Sequence, residues 1–153
     1  LWGELAWQLG GREAFAIVAA ADADRTPPGQ ALHKLLAAHA PAVILIDLVR
    51  AYFDRGCDLW ADCDAALAAA LRIRDAARAA GVPVIYTNMV FHPKALDGGR
   101  FFQKALPLRY FVRGHPMAEW APGLVPSEDE LVISKQYPSA FFGTSLASTL
   151  TPW

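Results

Sequence analysis

Residues 42–47 read Ala42-Val43-Ile44-Leu45-Ile46-Asp47, five consecutive apolar side chains followed by a carboxylate. An unbroken apolar run rich in β-branched residues predicts a strand that is buried on both faces, as in a parallel sheet. Open α/β sheets bind their ligands in the crevice at the carboxyl ends of the strands. We therefore expect Asp47 to lie where such a crevice forms.

A second apolar run, Leu131-Val132-Ile133, is followed by Ser134 and Lys135. The carboxyl ends of parallel strands meet at the same edge of a sheet, so Asp47 and Lys135 could form a catalytic pair there. A lysine beside the carboxylate would keep Asp47 ionised, as a general base in a partly desolvated crevice requires. The simpler alternatives are that Asp47 caps a turn and that Lys135 is an ordinary lysine at a strand end.

The composition argues against several kinds of partner. The 153 residues, about the length of one domain, carry a net charge of -1, which gives no electrostatic attraction to nucleic acid or to an anionic membrane. The longest strongly apolar stretch, Ala14 to Ala21, is too short for a bilayer span of roughly 20 residues. Two cysteines, Cys57 and Cys63, are too few for a disulfide framework, and no secretory signal is recognisable. We therefore expect a cytoplasmic protein.

Periodicity and turn residues predict the other helices and strands. They are, in chain order, a helix over Leu1–Ala21 interrupted at Gly10-Gly11, a helix over Gln30–Ala38, a helix from Asp58 or Asp62 to Ala80 ended by Gly81, a strand over Val84–Thr87, a long loop over Phe91–Asp129 with a helical turn near Gln103–Leu106, a strand over Glu130–Ile133 and a helix over Leu146–Leu150. This alternation predicts an α/β fold with a three-layer, Rossmann-like parallel sheet and helices on both faces. About three strands, the N-terminal half of such a fold, fall within the chain.

Three segments carry a family resemblance. They are Val43–Phe53, with the pattern V-I-L-I-D-L-x-x-A-Y-F, Gly81–Thr87, with G-V-P-V-I-Y-T, and Lys135–Leu146, with K-x-x-x-S-A-F-x-G-T-x-L. In this order they resemble the isochorismatase-like cysteine hydrolases, and the chain looks closest to the N-carbamoylsarcosine amidase-like members. The resemblance implies that residues 41–153 are the N-terminal, incomplete part of a hydrolase domain and that residues 1–40 are a helical extension.

The resemblance implies a triad of cysteine, aspartate and lysine. Asp47 would take the proton from a cysteine thiol, and Lys135 would help to hold the thiolate and orient the base. The thiolate would then cleave a C–N bond of a small amide or ureido substrate, with no cofactor. The alternatives are an isochorismatase-type vinyl ether hydrolase, a maleamate or nicotinamide amidase, and a degenerate, non-catalytic interaction domain.

In the family that it resembles, the nucleophile follows a fourth strand, which would begin after Leu150. The chain starts at Leu1 and ends with Pro152-Trp153, so we expect a fragment that is trimmed at both ends and inactive as it stands. Without a fourth strand, Ala42–Ile46 would form an apolar edge that favours pairing with a second copy. This edge and the aromatic residues of the long loop lead us to expect a homo-oligomer.

The two cysteines have structural rather than catalytic interpretations. Cys63 lies on the apolar stripe of the long helix, where a small buried side chain is expected. Cys57 lies in a loop on the same edge as Asp47. A nucleophile there would need an exposed thiol with a lowered pKa, and nothing in the sequence indicates either property.

His92 is the one residue that suggests a metal. It precedes Pro93, as in the metal-binding pattern of family members that hydrolyse nicotinamide, but Met89 and Val90 stand where that pattern has an aspartate. A zinc site needs three or four well-placed ligands. We therefore expect no metal and interpret His92 as a loop histidine.

Aromatic residues follow the strand ends and fill the long loop. They are Tyr52, Phe53, Trp60, Phe101, Phe102, Tyr110 and Trp120. Because small-molecule pockets are mostly apolar with a few polar anchors, we predict that Phe53 and Trp60 line the wall of a substrate pocket. Contacts within the core or between subunits would suit these rings equally well. The basic residues of the loop are expected to be solvated, although they could bind a substrate carboxylate; they are Arg100, Lys104, Arg109 and Arg113.

Overall fold

The structure, a computed structural model, describes residues 2–26, 28–39 and 43–151. The chain divides into two compact units, one formed by Leu1–Ile44 with Arg72–Val84 and the other by Leu45–Leu71 with Ile85–Trp153. The predicted α/β class and the parallel sheet of three strands are confirmed. No helix within the described ranges is both long and apolar enough to cross a membrane.

In the described ranges, three strands form the sheet in the order β1-β2-β3. They are β1 (Ile44–Ile46), β2 (Val84–Met89) and β3 (Leu131–Lys135). β2 and β3 are parallel, with Ile85 opposite Leu131 and Met89 opposite Lys135. β3 is longer than predicted, since its last two residues continue the ladder instead of following it. Ala42, the predicted first residue of strand 1, lies outside the described residues.

The prediction that strand 1 is buried on both faces is wrong. In β1 only Ile46 is buried, while Leu45 is 39% exposed. Among the described strands β1 and β3 are the edges and β2 is central. Side chains of an edge strand have neighbours on one side only, whereas the first four residues of β2 are all buried. The apolar run therefore predicted the strand and its edge position correctly, but not its burial.

Five α-helices and three short 3₁₀ helices accompany the sheet in the described residues. The α-helices are α1 (Trp2–Ala23), α2 (Gln30–Ala38), α3 (Asp64–Ala80), α4 (Gly99–Lys104) and α5 (Leu146–Leu150), and the 3₁₀ helices are Arg50–Tyr52, Leu106–Phe111 and Pro116–Ala118. The predicted interruption of the first helix is present at Gly10 and Gly11, where the φ of Gly11 is 61°. α3 begins later than predicted because the chain from Cys57 to Cys63 forms turns, and Asp58 pairs instead with Arg109.

The end of α3 is set by Gly81, as predicted. Its φ of 68° lies in the left-handed region. The N–H of Gly81 donates to the carbonyl of Arg78 at 3.2 Å, and the N–H of buried Val82 donates to that of Ala77 at 2.9 Å. This pair of hydrogen bonds is a Schellman motif, which satisfies carbonyls at the end of the helix and turns the chain into β2.

An apolar cluster in the second unit packs the segment after β1 against the middle of the chain. Its buried members are Val49, Ala51, Cys57, Phe91, Leu108 and Phe111. Phe91 lies beside the 3₁₀ helix of residues 106–111, because its N–H donates to the carbonyl of Phe111 and its carbonyl accepts from Arg113, both at 2.9 Å. The region predicted to be a long loop is therefore anchored in a core.

Replacing Gly81 by alanine should lower the free energy of unfolding by about 1 kcal/mol, because a Cβ is disfavoured at positive φ. Apart from its chain neighbours, no heavy atom of the described residues lies within 4 Å of the position that this Cβ would occupy, so the cost is conformational rather than steric. Gly81→Asn is the matched control. Because asparagine tolerates the left-handed region better than alanine, this variant should lose clearly less of the free energy of unfolding. Urea unfolding followed by circular dichroism measures both variants, and equal losses would contradict this account.

Candidate active site

Asp47 and Lys135 meet at the carboxyl edge of the sheet. Asp47 directly follows β1 and Lys135 ends β3, and the Lys135 ammonium donates to Oδ2 of Asp47. Because β2 lies between these strands, the two backbones are separated by roughly 10 Å, two strand spacings, a gap that a side chain as long as lysine can close.

The two partners differ in their exposure to solvent. The Lys135 side chain is 4% exposed and that of Asp47 is 42% exposed. A buried ammonium is stable only when its hydrogen bonds are satisfied, and here Asp47 and the carbonyl of Pro138, at 2.8 Å, both accept from it. The cation is thus held in place while the carboxylate stays open to a ligand.

Hydrogen bonds tether the segment that follows β3. The carbonyl of Lys135 accepts from the N–H of Val90 at 3.0 Å, and the Gln136 side chain donates to the carbonyl of Val90 at 3.1 Å. Further along, Thr144 donates through its hydroxyl to the carbonyl of Ala140, and the same oxygen accepts from the N–H of Leu146 at 3.1 Å at the start of α5. The S-A-F-x-G-T pattern therefore builds a defined turn between β3 and α5.

The segment that carries Asp47 is also hydrogen-bonded to the middle of the chain. Val49 and Trp120 form an antiparallel bridge, in which the N–H of Arg50 donates to the carbonyl of Glu119 at 2.8 Å. The Trp120 ring packs edge-on against Tyr86 of β2, with ring centroids 5.4 Å apart. Nothing in the sequence around Trp120 indicated this pairing, because it joins residues distant in the chain.

The pKa of Tyr52 is affected by burial and by the charge of Asp47. Its pKa is raised above the usual value, first by burial and then by the negative charge of Asp47, since both disfavour the phenolate. The ring also packs edge-on against Phe111, at 6.3 Å between centroids. The Tyr52 ring therefore joins the neighbourhood of the carboxylate to the apolar cluster.

Neither cysteine of the described chain accompanies the ion pair. Cys57 is 6% exposed and belongs to the apolar cluster. Cys63 is half-buried, and its thiol donates to the carbonyl of Tyr52 at 3.7 Å. No hydrogen bond joins either thiol to Asp47 or Lys135 within the described residues.

The residues predicted to line a pocket lie on the segment that leads from β1 to α3. Phe53 is half-buried at the end of the first 3₁₀ helix, and Trp60 is 41% exposed with the Arg55 guanidinium 5.3 Å from its ring centroid. Of the basic residues, Arg109 pairs with Asp58 at 2.7 Å on the surface. A role of Phe53 and Trp60 in binding a substrate stays a prediction.

His92 takes part in its own turn. Its N–H donates to the Asp97 carboxylate at 2.8 Å, and its Nδ1 accepts from the N–H of Lys94 at 3.1 Å. Within the part of the chain that the structure describes, no three histidine, cysteine, aspartate or glutamate residues are grouped as a metal site requires. The histidine-proline pair therefore has a local structural explanation.

Comparisons with known proteins point to one family. A sequence model of the isochorismatase domain matches residues 41–152. The chain is 38% identical over 112 residues to a maleamate amidohydrolase of Pseudomonas putida, covering 72% of this chain and 53% of the relative. It is 33% identical over 116 residues to an N-carbamoylsarcosine amidase of an Arthrobacter species, covering 72% and 44%. The chain thus spans about half the length of these curated relatives.

Solved structures agree with these sequence matches. A cysteine hydrolase from Pseudomonas syringae superposes with a TM-score of 0.62 at 26% identity, covering 71% of this chain and 52% of that one. An isochorismatase from Pseudomonas putida superposes with a TM-score of 0.52 at 32% identity, covering 72% and 48%. The fold of the superposed part, about seven-tenths of this chain, therefore occurs in both proteins.

The raised pKa of Tyr52 predicts a pH dependence of stability. The folded protein keeps the phenol proton at a pH where the unfolded chain has lost it. The contribution of Tyr52 to the free energy of unfolding is therefore fully present below the ordinary pKa of 10.0, and it is lost as the pH rises through the pKa of the folded protein. In urea unfolding from about pH 8 to 11, the free energy of unfolding should decline less steeply with pH in Tyr52→Phe than in the unmodified chain. Identical declines in the two proteins would contradict the assignment.

Proposed function

The chain belongs to the isochorismatase family, and from this premise we propose that the protein hydrolyses the C–N bond of a small amide or ureido compound. The observation that carries the proposal is the ion pair of Asp47 and Lys135 at the sheet edge where α/β folds bind ligands. Two curated relatives, named for amide hydrolysis, support the C–N bond over the vinyl ether of an isochorismatase reaction.

Asp47 is proposed as the general base. It would take the proton of a cysteine thiol while the sulfur forms a bond to the amide carbon, and the collapse of the tetrahedral adduct would break the C–N bond. The proton held by Asp47 would pass to the departing nitrogen, which leaves as ammonia or an amine. Water would then attack the thioester, giving its proton to Asp47 and releasing the acid and the thiol. The half-exposed carboxylate suits these transfers because a substrate can approach it.

Lys135 is proposed to supply fixed positive charge. Asp47 and Pro138 account for two of its three N–H bonds within the described residues, which leaves one donor for a thiolate or for a substrate. A cation held near a thiol favours the thiolate and lowers the pKa of the sulfur. Burial strengthens this effect, since less water screens the charge.

The nucleophile is proposed to lie outside residues 1–153. The burial of Cys57 in the apolar cluster and the contact of Cys63 with a backbone carbonyl support this, because a nucleophile needs exposure and a neighbouring base. The homo-oligomeric state and the cytoplasmic location expected from the sequence stay predictions.

Asp47→Asn and Lys135→Ala should each reduce turnover by the full-length protein by at least about a hundredfold, because general-base catalysis and charge stabilisation contribute factors of this size. Ammonia release from maleamate and from N-carbamoylsarcosine measures the rate, and circular dichroism checks the fold. Asp75→Asn and Lys34→Ala, exposed residues of α3 and α2, are the matched controls and should keep full activity. Substantial residual activity in either site variant would overturn the proposed roles.

Residues 1–153 produced alone should release no ammonia from either substrate, since neither thiol can act as the nucleophile. In the full-length protein, Cys57→Ala and Cys63→Ala should leave the rate constant for turnover within about twofold, as expected of residues away from the reacting atoms. Activity in residues 1–153 that disappears in Cys57→Ala would instead identify Cys57 as the nucleophile. A full-length protein that hydrolyses no amide, ureide or vinyl ether would favour the interaction domain.

A further inference from the structure

The ring of Tyr137 is held between two other aromatic rings. It stacks on Phe101 of α4, with centroids 5.9 Å apart and an interplanar angle of 19°. Phe142 meets it edge-on, with centroids 4.9 Å apart and an angle of 83°. Both arrangements are favourable for aromatic pairs. Tyr137 therefore connects the middle of the chain, through α4, to the turn that follows β3.

This turn also supplies a hydrogen-bond acceptor for the Lys135 ammonium. Its first residues are bonded to Val90 at the end of β2, through the carbonyl of Lys135 and the side chain of Gln136. Three residues after Lys135, the carbonyl of Pro138 accepts from the ammonium at 2.8 Å. Tyr137 lies between the bonded start of the turn and this carbonyl.

We propose that Tyr137 is a positioning residue for Lys135. The clamp of Phe101 and Phe142 on its ring fixes the turn in the shape that brings the Pro138 carbonyl to the ammonium. With that acceptor in place, the buried ammonium keeps two hydrogen bonds and points at Asp47. If the turn opens, the ammonium loses an acceptor and moves toward water, because a buried charge requires its partners.

The ring rather than the hydroxyl of Tyr137 carries this role. The contacts with Phe101 and Phe142 are made by ring faces and edges. Phenylalanine at position 137 should therefore preserve the positioning, whereas alanine should not.

The reactivity of lysine side chains tests the proposal directly on residues 1–153. The chain has four lysines, and Lys34, Lys94 and Lys104 are exposed while Lys135 is 3% exposed. Pulse labelling with acetic anhydride, followed by peptide mass spectrometry, gives a rate for each lysine. The three exposed lysines serve as internal references in every sample.

Tyr137→Ala should raise the labelling rate of Lys135 roughly tenfold relative to the three reference lysines, the change that loss of two aromatic pairs produces in a local opening equilibrium. Tyr137→Phe should stay within about twofold of the unmodified chain. If the labelling rate of Lys135 relative to the reference lysines is unchanged in Tyr137→Ala, the proposal is overturned. A general loss of structure would raise Lys135 labelling together with a change in the circular dichroism, whereas the local opening leaves the circular dichroism unaltered.

A neighbouring pair of phenylalanines provides a decisive second comparison if Tyr137→Ala does not fold. Phe141 and Phe142 are 58% and 62% exposed, but only Phe142 pairs with another aromatic ring in the described residues. Phe142→Ala should raise Lys135 labelling by about threefold, as loss of one pair predicts, and Phe141→Ala should not. Equal labelling in these two variants would also overturn the proposal.

The catalytic consequence of this positioning rests on the proposed function, whereas the labelling result does not. In the full-length protein, Tyr137→Ala should lower kcat with little change in KM, and Tyr137→Phe should restore it. Increased labelling of Lys135 together with full activity of Lys135→Ala would refute the proposed function and leave the positioning role standing. Unchanged labelling of Lys135 together with an inactive Lys135→Ala would refute the positioning role and leave the proposed function standing.

Discussion

The buried ammonium of Lys135 is the constraint on which the candidate site depends. Its side chain is almost completely removed from solvent, so its charge must be matched by acceptors inside the protein. The sheet order supplies one acceptor by placing Asp47 two strands away at the same edge. The turn after β3 supplies the other through the carbonyl of Pro138. Both β1 and the turn therefore have to be placed accurately for the ammonium to keep its two acceptors.

The surrounding contacts can be understood as supports for these two acceptors. The antiparallel bridge of Val49 with Trp120 and the packing of Tyr52 on Phe111 hold the segment that begins at Asp47. The bonds to Val90 and the clamp on Tyr137 hold the segment that begins at Lys135. The middle of the chain, which joins both supports, is anchored by the apolar cluster. The middle of the chain therefore has a structural role in addition to any role in binding a substrate.

Much of the local structure could be predicted from the sequence, because short-range rules govern it. The bounds of α2 and α5 and the end of α3 at Gly81 followed from periodicity and cap residues. Predictions that depended on distant residues were less accurate. The burial of β1, the late start of α3 and the length of β3 were misjudged, since each is decided by neighbours that the local pattern does not contain.

The sequence by itself determined that an acid and a lysine would lie at the carboxyl ends of two strands of a parallel sheet, and its motifs identified the family. Those properties are encoded in consecutive residues, through side-chain polarity and turn chemistry. Only the tertiary structure decided that Cys57 enters the core, that Pro138 provides an acceptor and that Tyr137 is clamped by rings from two segments. A backbone carbonyl has no identity in a sequence, and aromatic contacts across long stretches of chain exist only after folding brings the residues together.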